Sequence, residues 1–144
     1  MDLKTFAKEI YKDAEQIEDE ITHSISILTG VILTKLAVTS PIDTSLSVSN
    51  WQVSLGRPAL STTQPYYAGK GGSTATSSGK AMVEAGKAEV KLRRPGETVY
   101  ISNTINYTYY INYQSESAIT HKTPGFFVEA SILAGITYLG KLRL

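Results

Sequence analysis

Apolar residues in the first quarter of the chain recur every three or four positions. They fall at Leu3, Ala7, Ile10, Ala14, Ile17, Ile21 and Leu28, with Phe6 and Tyr11 widening the stripe. This spacing predicts an amphipathic helix from Leu3 to Leu36, which would be roughly 50 Å long. We interpret the stripe as core-facing rather than as a coiled-coil seam, and expect part of so long a helix to pack outside its own domain. Gly30 and the β-branched residues after it predict a bend or break in the last third.

A polar turn ends this helix. Pro41 has no amide hydrogen, and it pushes Ser40 out of the helical conformation. Asp43, Thr44 and Ser45 follow, and short polar side chains of this kind accept hydrogen bonds from backbone amides in tight reversals. We therefore interpret Asp43 as an acceptor that stabilises the turn, not as a catalytic carboxylate.

Beyond the turn, apolar and polar residues alternate. The apolar residues are Leu46, Val48, Trp51, Val53 and Leu55, with a register change near Asn50. Alternation is strand periodicity, so we expect extended chain that becomes a strand from Asn50 to Leu55. Residues 59–78 are rich in Gly, Ser and Thr and have no periodicity, which predicts a flexible loop.

The second half of the chain predicts two more helices and a second strand. Residues 77–91 read as a helix that begins at a Ser77 cap. It turns small or apolar side chains towards the core, namely Ala81, Met82, Ala85 and Ala88. Residues 98–102 are β-rich and should pair beside the Trp51 strand, and Thr123-Pro124 can start a final helix over 126–139. The order predicts one α+β domain over 1–144, with a long N-terminal helix and two further helices packed on a small, mainly antiparallel sheet.

Tyrosines are concentrated in two short segments. Tyr66 and Tyr67 form one pair, and the segment from 103 to 113 holds Tyr107, Tyr109, Tyr110 and Tyr113. Tyrosine combines a large apolar ring with a polar group, which suits a half-buried surface or an interface. Packing within the monomer explains the cluster equally well, and both interpretations stay open.

Composition narrows the function classes. A chain of 144 residues accommodates one domain. We see no apolar run near the ~20 residues of a membrane span and no signal-peptide pattern, so we expect no membrane association. The chain has no cysteine, and His23 and His121 are far apart, which predicts neither disulfides nor a zinc site.

Charge is balanced overall but unevenly distributed. The first helix is acidic, and a later segment is basic through Lys80, Lys87, Lys91, Arg93 and Arg94. One interpretation is two solvated helix faces. The other is that these faces meet between neighbouring copies, because complementary charge selects partner and register. The basic residues are few and not interleaved with aromatic ones, so we expect at most nonspecific proximity to DNA.

The motifs of catalysis and nucleotide binding do not fit this sequence. No Gly-x-Ser-x-Gly segment occurs, and no acidic set has metal-ligand spacing. Residues 72–80 resemble a phosphate-binding loop only superficially, because the spacing is too long and Ala81 stands where a hydroxyl residue is required. We therefore expect no enzyme, no cofactor and no metal.

Two blocks of residues resemble the phage neck and tail-completion proteins, the group that includes minor tail protein Z-like sequences. Ser40-Pro41-Ile42-Asp43-Thr44-Ser45-Leu46 with Ser49-Asn50-Trp51 is similar to that family's Pro-Val-Asp-Thr-Gly and Ser-Trp signature. Val99-Tyr100-Ile101-Ser102-Asn103, followed by Tyr107 and Tyr109-Tyr110-x-x-Tyr113, is similar to its second block, and Thr123-Pro124-Gly125-Phe126 to the start of its last helix. Departures include Ser45 in place of glycine, and Asn112 and Gln114 in place of Glu and Gly.

The resemblance implies a virion structural protein, made in the bacterial cytoplasm, that completes the tail and joins it to the head connector. It implies a ring, expected to hold six copies, that contacts connector or stopper proteins and the tail tube or its terminator. The signature residues are Pro41, Asp43, Thr44, Trp51 and Asn103. Candidate interface residues are Tyr66, Tyr67, Lys87, Lys91, Arg93, Arg94, Tyr107, Tyr109, Tyr110 and Tyr113. The alternatives are a tail terminator, a small enzyme that uses the 59–78 loop, and a nucleic-acid-binding module.

Overall fold

The structure is a computed structural model that describes residues 2–41, 43–113 and 125–142. Its elements are α1 (Leu3–Thr39), α2 (Leu46–Ser49), β1 (Gln52–Leu55), α3 (Ala75–Val90), β2 (Val99–Ser102), α4 (Asn106–Tyr113) and α5 (Phe127–Lys141). A long N-terminal helix, further helices and a small antiparallel sheet confirm the α+β class. The Thr123-Pro124 start expected for the last helix lies outside the described residues.

The two strands pair as predicted. Among the described residues, β1 and β2 form a two-stranded antiparallel sheet. Val53 lies opposite Ile101, and Leu55 lies opposite Val99. Each strand is half-buried, because α3 packs on β1 while the remaining face is partly open to solvent. The sheet therefore supports the helices rather than forming a layer of its own.

Helices α3 and α5 cover the C-terminal half of α1. Both approach it through glycines, at which a Cβ atom would collide with α1. At Gly86 it would meet the Leu33 side chain, and at Gly135 it would lie 2.7 Å from Ile32 Cγ1 and 2.9 Å from Leu28 Cδ1. The absent side chains let the helix backbones approach closely. Both helices run antiparallel to α1: along α3, Gly79 lies near Ala37 and Gly86 near Leu33. Along α5, Phe127 contacts Trp51 beside the end of α1, and Gly135 lies near Leu28.

The core lies where these helices meet the end of α1. It contains Ile32, Leu33, Leu36, Val48, Trp51, Met82, Val83 and Phe127. The Trp51 and Phe127 rings meet edge to face, with centroids 6.3 Å apart and an interplanar angle of 81°. Trp51 Nε1 also donates a hydrogen bond to Ser40 Oγ at 2.7 Å. Trp51 thus joins the end of α1 to the beginning of α5.

Of the bend or break predicted near Gly30, the break does not occur. Every residue of α1 is described, and the helix continues through Gly30 to Thr39. A Cβ atom on Gly30 would lie 3.4 Å from Lys87 Cε of α3. That distance is an ordinary van der Waals contact, so the contact between α1 and α3 does not itself require glycine. Packing on both sides of the helix outweighs the low intrinsic helix propensity of glycine.

The strand entry expected at Leu46 and Val48 is also wrong, because residues 46–49 form the short helix α2. Ser45 adopts the left-handed conformation with φ 65°, which turns the chain into the helix. The Asn50 side chain then donates to Leu46 O at 2.8 Å and caps the end of the turn. In α2 both polar and apolar residues are buried, namely Ser47, Val48 and Ser49, so the alternation does not separate a buried from an exposed face.

Helix α3 begins at Ala75, which corrects two expectations. The loop ends at Thr74 rather than at residue 78, and Ser77 is not the cap. The core-facing set was also partly wrong, because Ala85 and Ala88 are exposed. Met82, Val83, Gly86 and Val90 are buried instead. The buried face is set by contact with α1 and β1, which favours glycine over alanine at the closest approach.

The N-terminal half of α1 lies outside the core. From Leu3 to Ile17 every residue is exposed, including Leu3 at 86% and Ile17 at 56%. We call residues 3–17 the arm. The core-facing interpretation of the apolar stripe is wrong for the arm, since α3 and α5 do not reach it. The stripe becomes buried only in the C-terminal part of α1.

Helix α1 is also long and apolar enough to cross a membrane by length and composition, with a mean hydropathy of 1.6 over its most apolar stretch. The expectation that no stretch reaches that length does not hold for α1 by this criterion. A core helix meets the same criterion, and Ile32, Leu33 and Leu36 of α1 are buried in the core. The absence of membrane association stays a prediction.

Candidate functional site

In the turn after α1, Asp43 and Thr44 contact backbone amides. Asp43 Oδ1 accepts a hydrogen bond from Gly71 N at 2.9 Å, and Asp43 O accepts one from Gly72 N at 2.9 Å. This confirms the interpretation of Asp43 as an acceptor of backbone amides. Gly71 lies 28 positions further along the chain and Gly72 directly follows it, so Asp43 holds the 59–74 segment against the turn. Thr44 Oγ1 makes only a long contact, 3.4 Å from Leu46 N.

Asn103 connects the two resemblance blocks. Its Nδ2 donates to Ser47 O at 2.9 Å, and its Oδ1 accepts from Ile105 N at 3.0 Å. The first contact ties the end of β2 to α2, and the second shapes the turn into α4. The signature residues Asp43, Trp51 and Asn103 therefore hold the turn, the long loop, α4 and α5 around one end of α1.

The 59–74 segment is hydrogen-bonded to its surroundings at several points. The Asn50 side chain donates to Thr63 O at 2.9 Å and accepts from Thr63 N at 2.8 Å. The Ser78 hydroxyl contacts both the amide and the carbonyl of Tyr67 at 3.1 Å. The rings of Tyr66 and Tyr67 are exposed nonetheless. The backbone of the segment is therefore hydrogen-bonded while its two tyrosine rings are exposed. The flexibility expected for residues 59–78 stays a prediction.

A group of aromatic rings lies exposed where α4 meets α5. Tyr109 packs on Tyr113 with ring centroids 4.8 Å apart, on Tyr110 at 5.8 Å, and Tyr113 packs on Phe126 at 5.9 Å. Each of the four residues is more than half exposed. We call Tyr109, Tyr110, Tyr113 and Phe126 the tyrosine surface. These rings contact one another and are not part of the core, and their role as an interface stays a prediction.

Buried Asn112 positions the tyrosine surface. Its backbone carbonyl accepts from Phe126 N at 2.8 Å, its Oδ1 accepts from Val128 N at 2.9 Å, and its Nδ2 donates to Glu129 Oε2 at 2.8 Å. The last bond lowers the pKa of Glu129, and the hydrogen bond between Tyr113 and Glu129 raises the pKa of Tyr113. Sequence analysis treated Asn112 only as a departure from the family pattern. A polar residue inside a tyrosine-rich segment was the available signal.

Tyr107 lies apart from this surface. Burial, and secondly the charge of Asp43, raise the pKa of Tyr107. It is the least exposed of the α4 tyrosines. The structure therefore groups three of the four clustered tyrosines and places Tyr107 towards the Asp43 turn.

The basic segment is divided between the surface and the interior. Arg93 has a side chain only 6% exposed, with Nη1 3.5 Å from Glu18 Oε2 and 3.0 Å from Thr22 Oγ1. It contacts the acidic helix of its own chain, so the hypothesis that Arg93 pairs between copies needs correction. Lys91 and Arg94 stay exposed, and Lys87 lies 3.8 Å from Glu84 on the same helix. These three side chains are accessible to a partner.

An open groove of about 520 Å³ lies between α1 and α3. Its walls are mainly small or apolar residues such as Ala37, Val38 and Gly79, and its charged residues are Lys80 and Glu84. In the described ranges, no group of three His, Cys, Asp or Glu side chains could hold a metal ion. No finding tests the expectation that the protein is not an enzyme, so it stays a prediction.

No protein-family model matches the chain, and neither a curated protein nor a solved structure is detectably similar to it. The relation to phage neck and tail-completion proteins therefore rests on the residues of the two blocks. Those residues share one end of the domain, but their function stays a proposal.

Proposed function

We propose that this protein is a structural subunit of a tailed-phage virion that completes the tail and joins it to the head connector. It acts as one member of a ring, which we expect to hold six copies. Its partners in the particle are neighbouring copies, the connector or stopper above and the tail tube or its terminator below. The protein resides at the neck of the particle.

The tyrosine surface carries this proposal. The Asn112 bonds tie α4, which carries Tyr109, Tyr110 and Tyr113, to the start of α5, and the three rings remain largely exposed. Grouped exposed aromatic rings mark protein contacts, because they bury large apolar area while the phenol groups stay hydrogen-bonded. The surface also coincides with the second resemblance block, so the residues that suggest the family are the ones available for assembly.

A ring subunit needs two different surfaces that meet head to tail. The accessible basic residues Lys87, Lys91 and Arg94 lie on and after α3, away from the α4 segment in sequence. They supply a second surface of different chemistry. This arrangement supports a heterologous contact between copies, with aromatic burial providing stability and charge providing register.

The first experiment is electron microscopy of lysates from a phage or prophage that lacks this gene. Filled heads beside separate tails of normal length are expected, because an unjoined tail is otherwise complete. Overlong tail tubes would reassign the protein as a tail terminator. Intact infectious particles would overturn both virion roles.

A complementation experiment tests the surface itself. We expect Y109A/Y110A to fold normally but to fail to restore joined particles, since it removes two exposed rings. The matched control is L60A, which truncates another strongly exposed apolar residue outside the tyrosine surface. Full restoration by Y109A/Y110A, at the level reached by L60A, would show that the tyrosine surface is not the contact.

A further inference from the structure

The arm carries an apolar seam whose residues Leu3, Ile10 and Ile17 are exposed, and no described helix of the chain packs along it. The seam continues past the arm towards the buried part of α1, and its residues form two rows with a seven-residue spacing. One row is Leu3, Ile10 and Ile17, and the other is Ala7, Ala14, Ile21 and Leu28. Two rows offset by three and four residues are the a and d positions of a coiled coil. The seam therefore fits another helix along its length.

Helix α5 already covers the end of this seam. Gly135 of α5 packs against Leu28 and Ile32 of α1. From there α5 runs towards the arm and ends at Lys141, about 9 Å further on at 1.5 Å per residue. Beyond the end of α5, a second helix that begins near Lys141 could pack along the rest of the seam. Ile17 and Leu3 remain exposed because the chain itself supplies none in the described residues.

Residue size along the seam is self-complementary when the second helix runs antiparallel. If two arms cross at a two-fold axis near Lys12, Ala7 of one copy faces Ile17 of the other. Ile10 then faces Ala14, and Leu3 faces Ile21. Each small residue meets a large one, which is how helices interdigitate at close spacing. A parallel alignment would place alanine against alanine in alternate layers.

The charged residues that flank the seam also favour an antiparallel orientation of the two arms. Lys4 and Glu18 occupy equivalent flanking positions at opposite ends of the seam. Antiparallel arms place Lys4 of each copy beside Glu18 of the other, where it joins the Glu18–Arg93 contact. A parallel pair would place Asp13 beside Glu18 with no lysine between them. On the opposite flank, antiparallel pairing brings the two Asp13 side chains together at the axis, which opposes association.

We propose that two copies of this chain associate through their arms, antiparallel about a two-fold axis near Lys12. The contact is about 27 Å long at 1.5 Å per residue. It involves one helix from each copy, which is little surface for a stable interface, so we expect the dimer to dissociate on dilution. A two-fold contact closes on itself and is distinct from the head-to-tail contacts of a ring. The pairing therefore does not depend on the proposed virion role.

Sedimentation of the purified full chain over a wide concentration range tests the association. Wild type should change from monomer to dimer with rising concentration, and I10D should stay monomeric because it places a charge in the seam. K12D is the matched control, since Lys12 lies on the face opposite the seam, and it should still dimerise. D13N should dimerise more tightly than wild type. Monomeric wild type throughout, or dimeric I10D, would overturn the proposal.

Cross-linking tests the direction, because the chain has no native cysteine. With a short bis-maleimide reagent, Y11C should give a covalent dimer on a denaturing gel, since the two Tyr11 positions lie near the axis. L3C should not, because the two Leu3 positions lie about 27 Å apart in the antiparallel pair. Cross-linking of L3C would indicate parallel arms, and failure of both variants would indicate another contact. Either result would refute the arrangement. Unchanged Trp51 fluorescence establishes that each variant is folded.

Discussion

Replacing Gly86 with alanine tests the packing between α1, α3 and β1. Gly86 lies inside α3, where an alanine is normally favourable. Its added Cβ, however, would collide with the Leu33 side chain and lie 2.9 Å from Val53 Cγ2. Leu33 is fully buried in the core, so it has little room to move aside. Local propensity and tertiary packing therefore predict opposite signs for this substitution.

The helix propensity that G86A gains can be compared with the packing energy that it loses. Alanine in place of glycine in a helix gains about 0.5–1 kcal/mol, because glycine loses more backbone entropy on folding. Forcing an extra methyl group into a packed core costs about 1–3 kcal/mol. Because two separate contacts are too close, we expect the upper part of that range and a net loss of about 1–2 kcal/mol for G86A. The collision should outweigh the propensity gain.

Urea unfolding followed by Trp51 fluorescence measures the outcome, since the single tryptophan is 7% exposed and contacts Phe127. G140A is the matched control, because Gly140 also lies in a helix but a Cβ there would have nothing within 4 Å. We expect a lower unfolding midpoint for G86A and an equal or higher midpoint for G140A. A midpoint for G86A at or above that of wild type would refute the close packing of α3 against Leu33.

The same titration tests two further substitutions. R93A should lower the free energy of unfolding by about 1–3 kcal/mol, because it removes charged hydrogen bonds to Glu18 and other groups from a buried position. The control R94A changes a side chain that is 85% exposed, so its free energy of unfolding should stay within about 0.5 kcal/mol of wild type. Equal effects would contradict the internal role of Arg93. S45G should stay within about 1 kcal/mol of wild type, since relief of the left-handed strain offsets the lost hydrogen bond to Thr74. S45A keeps the strain and loses the bond, so an S45A variant as stable as S45G would contradict this explanation.

Elements set by local chemistry were predictable from the sequence. Pro41 ends α1 within two residues of Thr39, because it cannot donate the next helical hydrogen bond. The strand from Gln52 to Leu55 and its partner Val99–Ser102 follow from alternating and β-branched residues. These signals depend on only a few neighbouring residues, so they can be interpreted without knowing the rest of the fold.

Elements decided by distant contacts were not predictable. Residues 46–49 alternate like a strand but form a helix, in which Ser47 O accepts a hydrogen bond from Asn103 Nδ2, 56 positions away. Ser77 resembles a helix cap, yet α3 begins at Ala75, directly after Thr74, whose hydroxyl bonds to that of Ser45, 29 positions away. In both cases a three-dimensional contact outweighs a correct local pattern.

The sequence identified most residues of the candidate site, but it did not show which of them contact one another. The tyrosine segment and the Asp43 turn were identified in the sequence, whereas Asn112, which positions Tyr113 and Phe126, was missed. Arg93 was assigned to a contact between copies because its charge opposes that of the first helix. It meets Glu18 of the same chain, 75 positions away. Charge patterns show which groups attract each other, but they do not show whether both belong to one molecule.

The sequence by itself determined that the first part of the chain is an amphipathic helix and which side of it is apolar. Only the tertiary structure decided where that side is buried. Helical periodicity depends on the spacing of residues along one element, whereas burial depends on how far the neighbouring elements extend. Helices α3 and α5 cover the C-terminal half of α1, and the arm remains exposed because its apolar seam continues beyond them.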